Sequence, residues 1–367
     1  MTALGTGIHA IGLLTGGGDA PGLNAVIRAV VRTATRHYGW DVIGFMDGYE
    51  GLVTRQYRKL TSDDVSGLLM QGGTILGTSN TANPFAWHIG EGEKRTTVDR
   101  GQEAVDIIRT LGLDALACIG GDGTLSIADG LRRLGVPVVG IPKTIDNDIE
   151  ETDQTFGFDT AVSIAVEAID RIHTTAQSHH RVMIVEVMGR NAGWLALHAG
   201  IASGGDIILI PEVPYQLDSI CEKILERNRS GRRFSILVVA EGARAKGGDK
   251  VVARMIAESP DPVRLGGIGN VVAGQIEERV KLETRVTVLG HLVRGGTPTA
   301  YDRILASRLG SQAVHLLARG ESGQMVRLYQ NQISSVPIAQ IANRQRLVPL
   351  DHDLMKLGRE TGVCFGD

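Results

Sequence analysis

Short apolar runs alternate along the chain with segments whose apolar residues recur at helical spacing. Residues 8–14 are apolar, a glycine-rich turn follows, and Val26, Ile27, Val30 and Val31 then mark one face of a helix. The same order of buried strand, turn and helix recurs over most of the sequence. Strands that alternate with helices pair in parallel, so the pattern predicts an α/β protein.

The individual elements follow from the same periodicity. Strands are predicted at 8–14, 41–46, 181–187, 206–209, 234–239 and 285–289, with two more inside 116–148. Helices are predicted at 61–70, 100–111, 158–176, 194–202, 217–229, 269–281 and 304–319. Residues 48–52 are predicted as a loop and 83–100 as a polar, irregular surface insertion, whereas the chain after about 325 has no firm assignment. The second set of strand–helix units predicts two Rossmann-like domains with mainly parallel sheets and an active site in the cleft between them.

Three acidic residues lie in the stretch Leu116–Asp148, which contains the two inner strands and the turns after them. Asp122 stands in the first turn, GGDGT, and Asp146 and Asp148 stand in the second, TIDND. Parallel strands bring their carboxyl ends together, so these acids are expected in one crevice. A glycine turn at a helix start favours phosphate, and clustered acids need a cation. The stretch therefore predicts phosphoryl transfer with Mg²⁺.

Each acid has a possible role in that chemistry. Asp122 can hold Mg²⁺ directly or through water, and either Asp146 or Asp148 can take the proton of an acceptor hydroxyl while the other helps to hold the metal. The alternative is Asx-type turn capping, which an Asp-Asn-Asp triplet performs well. Both interpretations stay open on these residues alone.

Two glycine-rich loops can cradle the donor. TGGGDAPGLN follows the first strand, and Gly16, Gly17 and Gly18 allow a phosphate close to the backbone. It is not a Walker loop, because no Gly-Lys-Ser/Thr ends it, and a plain tight turn is the alternative. GGTILGTSN at 72–80 either lines a nucleotide site or is an ordinary loop.

A phosphorylated acceptor needs its own cationic pocket. Candidates at strand edges or in glycine turns are Arg181, Arg190, Arg285, His291 and Arg294. A residue of this kind, taken singly, is more often a surface ion-pair partner than a phosphate ligand. The pair His179–His180 is interpreted as the end of a helix rather than a metal site.

Composition and charge narrow the class of protein. The net charge is −3, so no overall basic surface favours nucleic acid or an anionic membrane. No apolar run approaches the ~18–20 residues of a membrane span. The three cysteines have no metal-type spacing, and with no signal peptide apparent we expect a reducing, cytoplasmic setting. Cys118 is expected as a packed core thiol.

Together these segments resemble the phosphofructokinase family, and specifically its 6-phosphofructokinases. They occur in the family's order over most of residues 8–310, whereas GGDGT alone is shared with NAD kinases and lipid kinases. The matching segments are LTGGGDAPGLNAVIR, GYEGL, GGTILGTS, IGGDGT, PKTIDND, FGFDTA, RVMIVEVMGRNAG, AEGA and TRVTVLGHLVRGGTPTAYDR.

The resemblance implies the role of each residue. Asp146 would be the catalytic base, assisted by Thr144 and Arg190, and the metal would be held by Asp122 and Asp148. The donor residues would be Gly18, Asn80, Thr81, Gly121, Asp122, Gly123, Thr124 and Lys143. The fructose 6-phosphate residues would be Thr144, Asp146, Met188, Gly189, Arg190, Glu241, His291 and Arg294, with Arg181 and Arg285 reaching the sugar phosphate across a subunit interface. The partners implied are therefore fructose 6-phosphate, ATP or pyrophosphate, and further copies of the chain in a dimer or tetramer with shared active sites.

The resemblance also implies a division of the chain. Residues 1–155, completed by about 293–330, would form the donor domain, and residues 156–292 would bind fructose 6-phosphate. Residues 331–367 would be a C-terminal extension.

Two positions disagree about the phosphoryl donor. Gly123 is typical of ATP users, because an aspartate there would repel the α-phosphate of the nucleotide, whereas Lys143 is typical of pyrophosphate users. Asn80 stands where the common bacterial ATP enzymes have an arginine that contacts the donor phosphates, and Ile127 stands where they have a glycine near the adenosine. Lys143 can replace the charge of that arginine. The Gly/Lys pairing also occurs in an ATP-dependent subgroup, and exclusion of ATP is harder to overcome than an extra cation, so ATP is predicted.

Four hypotheses follow. The first is a glycolytic ATP-dependent 6-phosphofructokinase, and the second is its reversible pyrophosphate-dependent counterpart. The third is a non-catalytic sensor of sugar phosphates or nucleotides, which the complete set of Asp122, Thr144, Asp146 and Asp148 disfavours. The fourth is an NAD or lipid kinase, which leaves PKTIDND and the arginine pocket unexplained.

Overall fold

The computed structural model describes residues 7–90, 96–255, 263–342 and 344–367. The strands are β1 (Ala10–Thr15), β2 (Asp41–Phe45), β3 (Tyr57–Leu60), β4 (Trp87–Ile89), β5 (Thr96–Val98), β6 (Ala115–Gly120), β7 (Val138–Thr144), β8 (Phe156–Gly157), β9 (Val182–Val187), β10 (Ile207–Leu209), β11 (Ser235–Ala240), β12 (Val252–Met255), β13 (Val263–Leu265), β14 (Thr284–Val288), β15 (Gln324–Tyr329) and β16 (Gln332–Pro337). The helices are α1 (Leu23–Thr33), α2 (Tyr49–Thr54), α3 (Gly101–Thr110), α4 (Asp122–Arg133), α5 (Phe158–His179), α6 (Trp194–Ala202), α7 (Leu217–Arg229), α8 (Ile268–Val280), α9 (Ala300–Ala318) and α10 (Asp353–Glu360).

Two separate sheets organise these elements. The larger has the order β16-β15-β7-β6-β1-β2-β3, and its strands from β15 to β2 are parallel. The strands β3 and β16 at its two edges are antiparallel to their neighbours. The smaller has the order β10-β11-β9-β14 and is parallel throughout. The predicted α/β fold with two mainly parallel, Rossmann-like sheets is confirmed.

The central strands are apolar because helices cover both faces of each sheet. All six residues of β6, ALACIG, are buried, and so are all six of β9, VMIVEV. On one face of the large sheet, α1 and α9 pack together over β1 and β7. The sheets therefore present the carboxyl ends of β1, β6 and β7, and of β9 and β11, as anchored positions for the loops that follow.

Cys118 lies on β6 and is fully buried, as predicted. Burial raises the pKa of its thiol to about 12. His179 is the last residue of α5 and His180 caps it with a φ of 56°, so the predicted helix end is also found. In the part of the chain that the structure describes, no helix is long and apolar enough to cross a membrane.

Two predictions around the second strand were wrong. Residues 48–52 are not a loop, because α2 begins at Tyr49 directly after Gly48, whose φ is 66°. Residues 61–70 are not an α-helix but a series of turns that ends in a 3₁₀ turn at Leu68–Met70. The Asp64 carboxylate accepts the Thr61 N–H at 2.8 Å, and Gly67 has a φ of 73°, so the backbone leaves the helical conformation.

The segment 83–100 is more regular than predicted. It contains a 3₁₀ turn at Pro84–Ala86 and the antiparallel pair β4 and β5, although residues 91–95 of the prediction lie outside the described part. The Arg100 guanidinium lies 5.3 Å from the centre of the Trp87 ring. A short polar segment with few apolar residues gave no periodicity strong enough to indicate this hairpin.

The end of the chain connects the two sheets. The hairpin β15–β16 is part of the large sheet, and α9 packs against that sheet. Helix α10 packs instead against α6, beside the small sheet. The backbone of Cys364 forms an isolated parallel β-bridge with that of Ile207, the first residue of β10. The segment after β16 thus passes from one sheet to the other, and the domain limits given above stay a prediction.

Candidate active site

The three acids of Leu116–Asp148 follow two adjacent parallel strands. Asp122 is the first residue of α4, directly after the glycine turn that ends β6. Asp146 and Asp148 follow β7, which pairs with β6. Asp148 is only 4% exposed, and burial, the charge of Asp146 and the charge of Asp122 raise its pKa well above the usual value of an aspartate. The structure therefore brings the three carboxyl groups into one crevice, as the sequence predicted.

Asp146 carries an unsatisfied oxygen inside the protein. Its side chain is 4% exposed, and Oδ1 has no hydrogen-bond partner among the described residues. The Asp146 N–H donates to Thr144 Oγ1 at 3.0 Å, which fixes the backbone beneath the carboxyl group. A buried carboxylate oxygen without a partner is costly, so it marks a place for a ligand proton.

The residue between the acids explains their direction. Asn147 has a φ of 51°, and its Oδ1 accepts the Thr155 N–H at 3.0 Å. The Thr155 hydroxyl donates in turn to the Thr144 carbonyl at 2.8 Å. The capping role that the sequence left open for the triplet belongs to Asn147, which leaves Asp146 and Asp148 for the crevice.

Lys143 joins this crevice to the first glycine loop. It is 3% exposed at the end of β7, and its ammonium group donates to the Gly18 carbonyl. Burial and then the charge of Arg294 lower the pKa of Lys143 to about 8, against the opposing charges of Asp146, Asp19 and Asp148. The site thus holds an ammonium group that loses its proton far more readily than an exposed lysine.

The two glycine loops pack against each other. The Gly17 N–H donates to the Ser79 carbonyl at 3.1 Å, and the Thr78 hydroxyl donates to the Gly17 carbonyl at 2.5 Å. Asn80 and Thr81 follow this contact and are exposed. The predicted donor residues Gly18, Asn80 and Thr81 therefore lie on one continuous loop surface.

The turn after β6 leaves space for a ligand. Gly121 precedes α4 as its N-cap, and Thr124 is buried beneath the first glycine loop, where a β-carbon on Gly16 would come within 2.6 Å of its hydroxyl. Gly123 is exposed, and a β-carbon there would meet nothing within 4 Å. The space in front of Gly123 is open, as the predicted use of a nucleotide requires.

The small sheet supplies the opposite wall. Met188, Gly189 and Arg190 follow β9, and Glu241 follows β11. Glu241 Oε1 accepts the Arg190 N–H at 3.0 Å, and Arg190 has a φ of 51°, a conformation that is unusual outside glycine. Burial and then the charge of Asp146 raise the pKa of Glu241 to about 7. Glu241 and Asp146 therefore face each other although they follow strands of different sheets.

Arg294 crosses between the walls. It ends the 3₁₀ segment Gly290–Arg294 after β14, and its Nη1 donates to the Asp19 carbonyl at 2.9 Å. A β-carbon on Gly18 would lie 2.7 Å from the same Nη1, so any side chain there would displace the Arg294 guanidinium from this position. His291 lies in the same segment and is exposed.

Arg181 and Arg285 are not brought into this cleft. Arg181 precedes β9, and Arg285 is the second residue of β14, so both lie at the amino ends of strands whose carboxyl ends carry the site. Both pair with Glu283, Arg181 Nε at 2.7 Å from Glu283 Oε2. The six residues of β9, about 20 Å of strand, separate Arg181 from Met188.

Two residues of the site were missed from the sequence. Asp19 follows Gly18, and its charge acts on Lys143. Gln345 comes from the unassigned C-terminal segment, and its Nε2 donates to Asp148 Oδ2 at 3.3 Å. Asp19 stands inside a glycine motif, where it could have been found, whereas no local pattern marks Gln345.

The acids available for a metal are Asp122 and Asp148. Among the residues that the structure describes, no group of three or more His, Cys, Asp or Glu side chains is arranged as a metal centre. Mg²⁺ commonly binds through one or two carboxylates and completes its shell with water and substrate phosphates. Burial and the charges of Asp146 and Asp122 raise the pKa of Asp148 although the charge of Arg190 opposes them, so an ion bound at these carboxylates would relieve their repulsion.

Comparison with known proteins identifies the family. The family model for phosphofructokinase matches residues 10–317. The ATP-dependent 6-phosphofructokinase of Chloroflexus aurantiacus is 52% identical over 360 residues, which are 97% of this chain and 98% of that protein. A pyrophosphate–fructose 6-phosphate 1-phosphotransferase of Amycolatopsis methanolica is 49% identical over 339 residues, which are 92% of this chain and 96% of that protein.

A solved structure agrees with these sequence matches. The phosphofructokinase from Saccharomyces cerevisiae superposes with a TM-score of 0.75 and 35% identity over 91% of this chain. The matched part is 45% of the yeast chain, so this chain spans less than half the length of that protein. By its sequence and by its fold, the chain belongs to the phosphofructokinase family.

Proposed function

We propose that this chain transfers a phosphoryl group from ATP to O1 of fructose 6-phosphate in glycolysis, giving fructose 1,6-bisphosphate and ADP. The observation that carries the proposal is the buried and unpartnered Oδ1 of Asp146. It lies between the acids Asp122 and Asp148 and the small-sheet residues Arg190 and Glu241. A carboxylate in that position can accept the proton of the sugar hydroxyl beside the place where the phosphoryl group is transferred.

On the acceptor side, Asp146 is the general base. Its free oxygen accepts the proton of the sugar hydroxyl as that oxygen attacks phosphorus. Thr144 holds the Asp146 backbone, and Arg190 supplies positive charge beside the acids. Met188, Gly189, Glu241, His291 and Arg294 provide the remaining contacts of the sugar.

On the donor side, backbone groups and cations hold the phosphates. Gly18 and the residues Gly121–Thr124, which form the N-cap and first turn of α4, allow close approach to the backbone, and α4 adds the positive end of a helix. Asp122 and Asp148 would hold Mg²⁺, which when bound neutralises charge on the phosphates. Lys143 and Arg294 place two further cationic groups beside the loop.

The choice of donor depends on Gly123 and Lys143. The open space at Gly123 favours ATP, because nothing there would repel the α-phosphate. The pyrophosphate-dependent enzyme is the second candidate, favoured by the buried ammonium of Lys143, which can bind a phosphate that lacks a nucleoside. The 52% identity to an enzyme named as ATP-dependent agrees with the first choice.

We further propose that the active unit is a homo-oligomer. Arg181 and Arg285 lie at the amino edge of the small sheet, far from their own cleft, and Arg285 is exposed. Val288, the last residue of the edge strand β14, and Leu292 in the 3₁₀ segment after it are 51% and 68% exposed. An exposed edge strand that carries Arg285 near one end and apolar side chains at the other fits the surface of a partner copy, whose sugar-phosphate site Arg181 and Arg285 would complete. A cytoplasmic location also stays a prediction.

Assays with each donor test the proposal. Purified protein is given fructose 6-phosphate and Mg²⁺ with either ATP or pyrophosphate, and fructose 1,6-bisphosphate is measured. We expect turnover with ATP. Turnover with pyrophosphate but not with ATP would refute the ATP-dependent reaction and support the pyrophosphate-dependent one. No product with either donor would refute both.

A further inference from the structure

The C-terminal segment contributes a link to the acid crevice that no sequence motif indicates. Residues 344–348, here called the tail segment, lie between the large-sheet hairpin and α10. Within it, Gln345 Nε2 donates to Asp148 Oδ2 at 3.3 Å, and the Arg346 N–H donates to the Asp148 carbonyl at 2.8 Å. The tail segment thus holds both the side chain and the backbone of Asp148.

The tail segment is itself anchored on both walls of the cleft. Arg346 Nη1 donates to the Asp153 carbonyl at 2.8 Å, and the guanidinium lies 4.3 Å from the centre of the Trp194 ring. Trp194 Nε1 donates to the Arg346 carbonyl at 2.9 Å, and the Val348 N–H donates to Glu212 at 2.9 Å. Gln345 is therefore presented from a fixed backbone.

A chain of three hydrogen bonds sets the orientation of the Gln345 amide. Lys250 Nζ donates to Asn191 Oδ1, which leaves the Asn191 NH₂ group to donate to Gln345 Oε1 at 3.1 Å. Gln345 then has only its NH₂ group available for Asp148. An ammonium group only donates, so the charge of Lys250 fixes the direction of every bond in the chain.

The chain connects the two sides of the reaction. Asn191 follows Arg190 in the loop after β9, whereas Asp148 belongs to the metal side after β7. We propose that Gln345 is a positioning residue that aims the Asp148 carboxylate at the metal and ties it to the loop that carries Arg190. This inference rests on the proposed function, because it assigns Asp148 to the metal.

Substitution of Gln345 tests the inference. Gln345→Ala removes one hydrogen bond to a carboxylate, so kcat is expected to fall about tenfold, while KM for fructose 6-phosphate stays within about twofold. Gln345→Glu places a second carboxyl group against Asp148 and is expected to lose more activity. Gln340→Ala, exposed in the 3₁₀ turn Ile338–Gln340 before the tail segment and outside this chain of bonds, is the matched control and is expected to keep wild-type kcat.

A second measurement separates a positioning role of Gln345 from a general loss of structure. Binding of Mn²⁺ alone, followed by electron paramagnetic resonance, is expected to weaken at least threefold in Gln345→Ala, while the melting temperature changes little. Lys250→Ala is expected to lower kcat and to weaken Mn²⁺ binding, each by less than Gln345→Ala does. In the double variant, Lys250→Ala is expected to add nothing to the effect of Gln345→Ala.

The outcomes distinguish the inference from the function on which it rests. If wild-type protein is active and Gln345→Ala matches Gln340→Ala in kcat and in Mn²⁺ binding, the positioning role is refuted and the function stands. If wild-type protein makes no product with either donor, the function fails. Weaker Mn²⁺ binding in Gln345→Ala would still support the role of Gln345 at Asp148.

Discussion

At the scale of single residues, the cleft contains ionisable groups whose burial changes their chemistry. Lys143 is 3% exposed, and its pKa is lowered to about 8 mainly by burial, whereas burial raises the pKa of Glu241 to about 7. Groups with displaced pKa values concentrate at functional sites because reactions need charges away from bulk water. Both groups therefore change charge close to neutral pH.

The pKa of Lys143 predicts a pH dependence. Its ammonium group is present below about pH 8 and is lost as pH rises through that value, so kcat/KM for ATP is expected to fall on the alkaline side. Lys143→Met is expected to lower kcat/KM at pH 7 by roughly 10- to 100-fold and to lack this limb. Lys143→Arg keeps its charge and should also lack it. An identical alkaline limb in wild type and Lys143→Met would assign the titration to another group.

The open space at Gly123 predicts a change of donor. Gly123→Asp would place a carboxylate where the α-phosphate of ATP must pass, so kcat/KM for ATP is expected to fall by roughly 100-fold or more. The value for pyrophosphate should not fall. Gly274→Asp makes the same chemical change on the exposed side of α8, where a β-carbon also meets nothing within 4 Å, and should alter neither value. Equal loss with both donors would contradict steric and charge exclusion of the nucleotide.

At the scale of elements, the turn after β7 directs the acids. Asn147 holds a left-handed φ of 51° and caps Thr155, so the two neighbouring side chains point into the crevice. The turn is short, and the Asn147 amide is one of the side chains that hold its geometry.

Removal of that amide tests the turn. Asn147→Ala loses the hydrogen bond and strains the backbone, so the free energy of unfolding is expected to fall by about 1–3 kcal/mol and kcat by about 100-fold. Asn147→Gly tolerates the same φ and should lose less stability than alanine does. Chemical denaturation and steady-state kinetics measure both effects. Equal stability of the alanine variant and the wild type would show that the turn is held by other contacts.

The elements also show how far sequence reasoning extends. The buried strands and the long helices were predictable because apolar periodicity over many residues reports burial directly, as in β9 and α7. The short helix α2 and the turns at 61–67 were not, since single glycines and a local Asp64 bond decide them. The convergence of Asp122, Asp146 and Asp148 followed from parallel topology, whereas Gln345 joins through a contact 197 residues along the chain.

At the scale of the whole molecule, the two sheets each supply half of the cleft. Arg294 and Glu241 reach from the small sheet to Asp19 and Asp146, while Arg181 and Arg285 lie at the far edge. In the proposed assembly, a second copy of the chain would complete the sugar-phosphate site.

Subunit complementation tests this sharing. Arg285→Ser alone is expected to raise KM for fructose 6-phosphate by roughly tenfold or more, because an arginine–phosphate contact is lost. In a mixed dimer with one Arg285→Ser and one Asp146→Ala subunit, one shared site is fully intact and the other carries both defects. Random pairing on co-expression makes about half of the dimers mixed, so the preparation should regain about a quarter of wild-type activity at low fructose 6-phosphate. Activity equal to the mean of the two parents would place Arg285 outside any shared site.

The central claim is that Asp146 takes the proton from the acceptor hydroxyl, and its removal tests this most directly. Turnover of fructose 6-phosphate with ATP is measured for Asp146→Ala beside Asp170→Ala, an exposed acid on α5. Loss of a general base predicts that kcat falls by roughly 10²- to 10⁴-fold for Asp146→Ala, while Asp170→Ala keeps the wild-type rate. Unchanged turnover in Asp146→Ala would contradict the account.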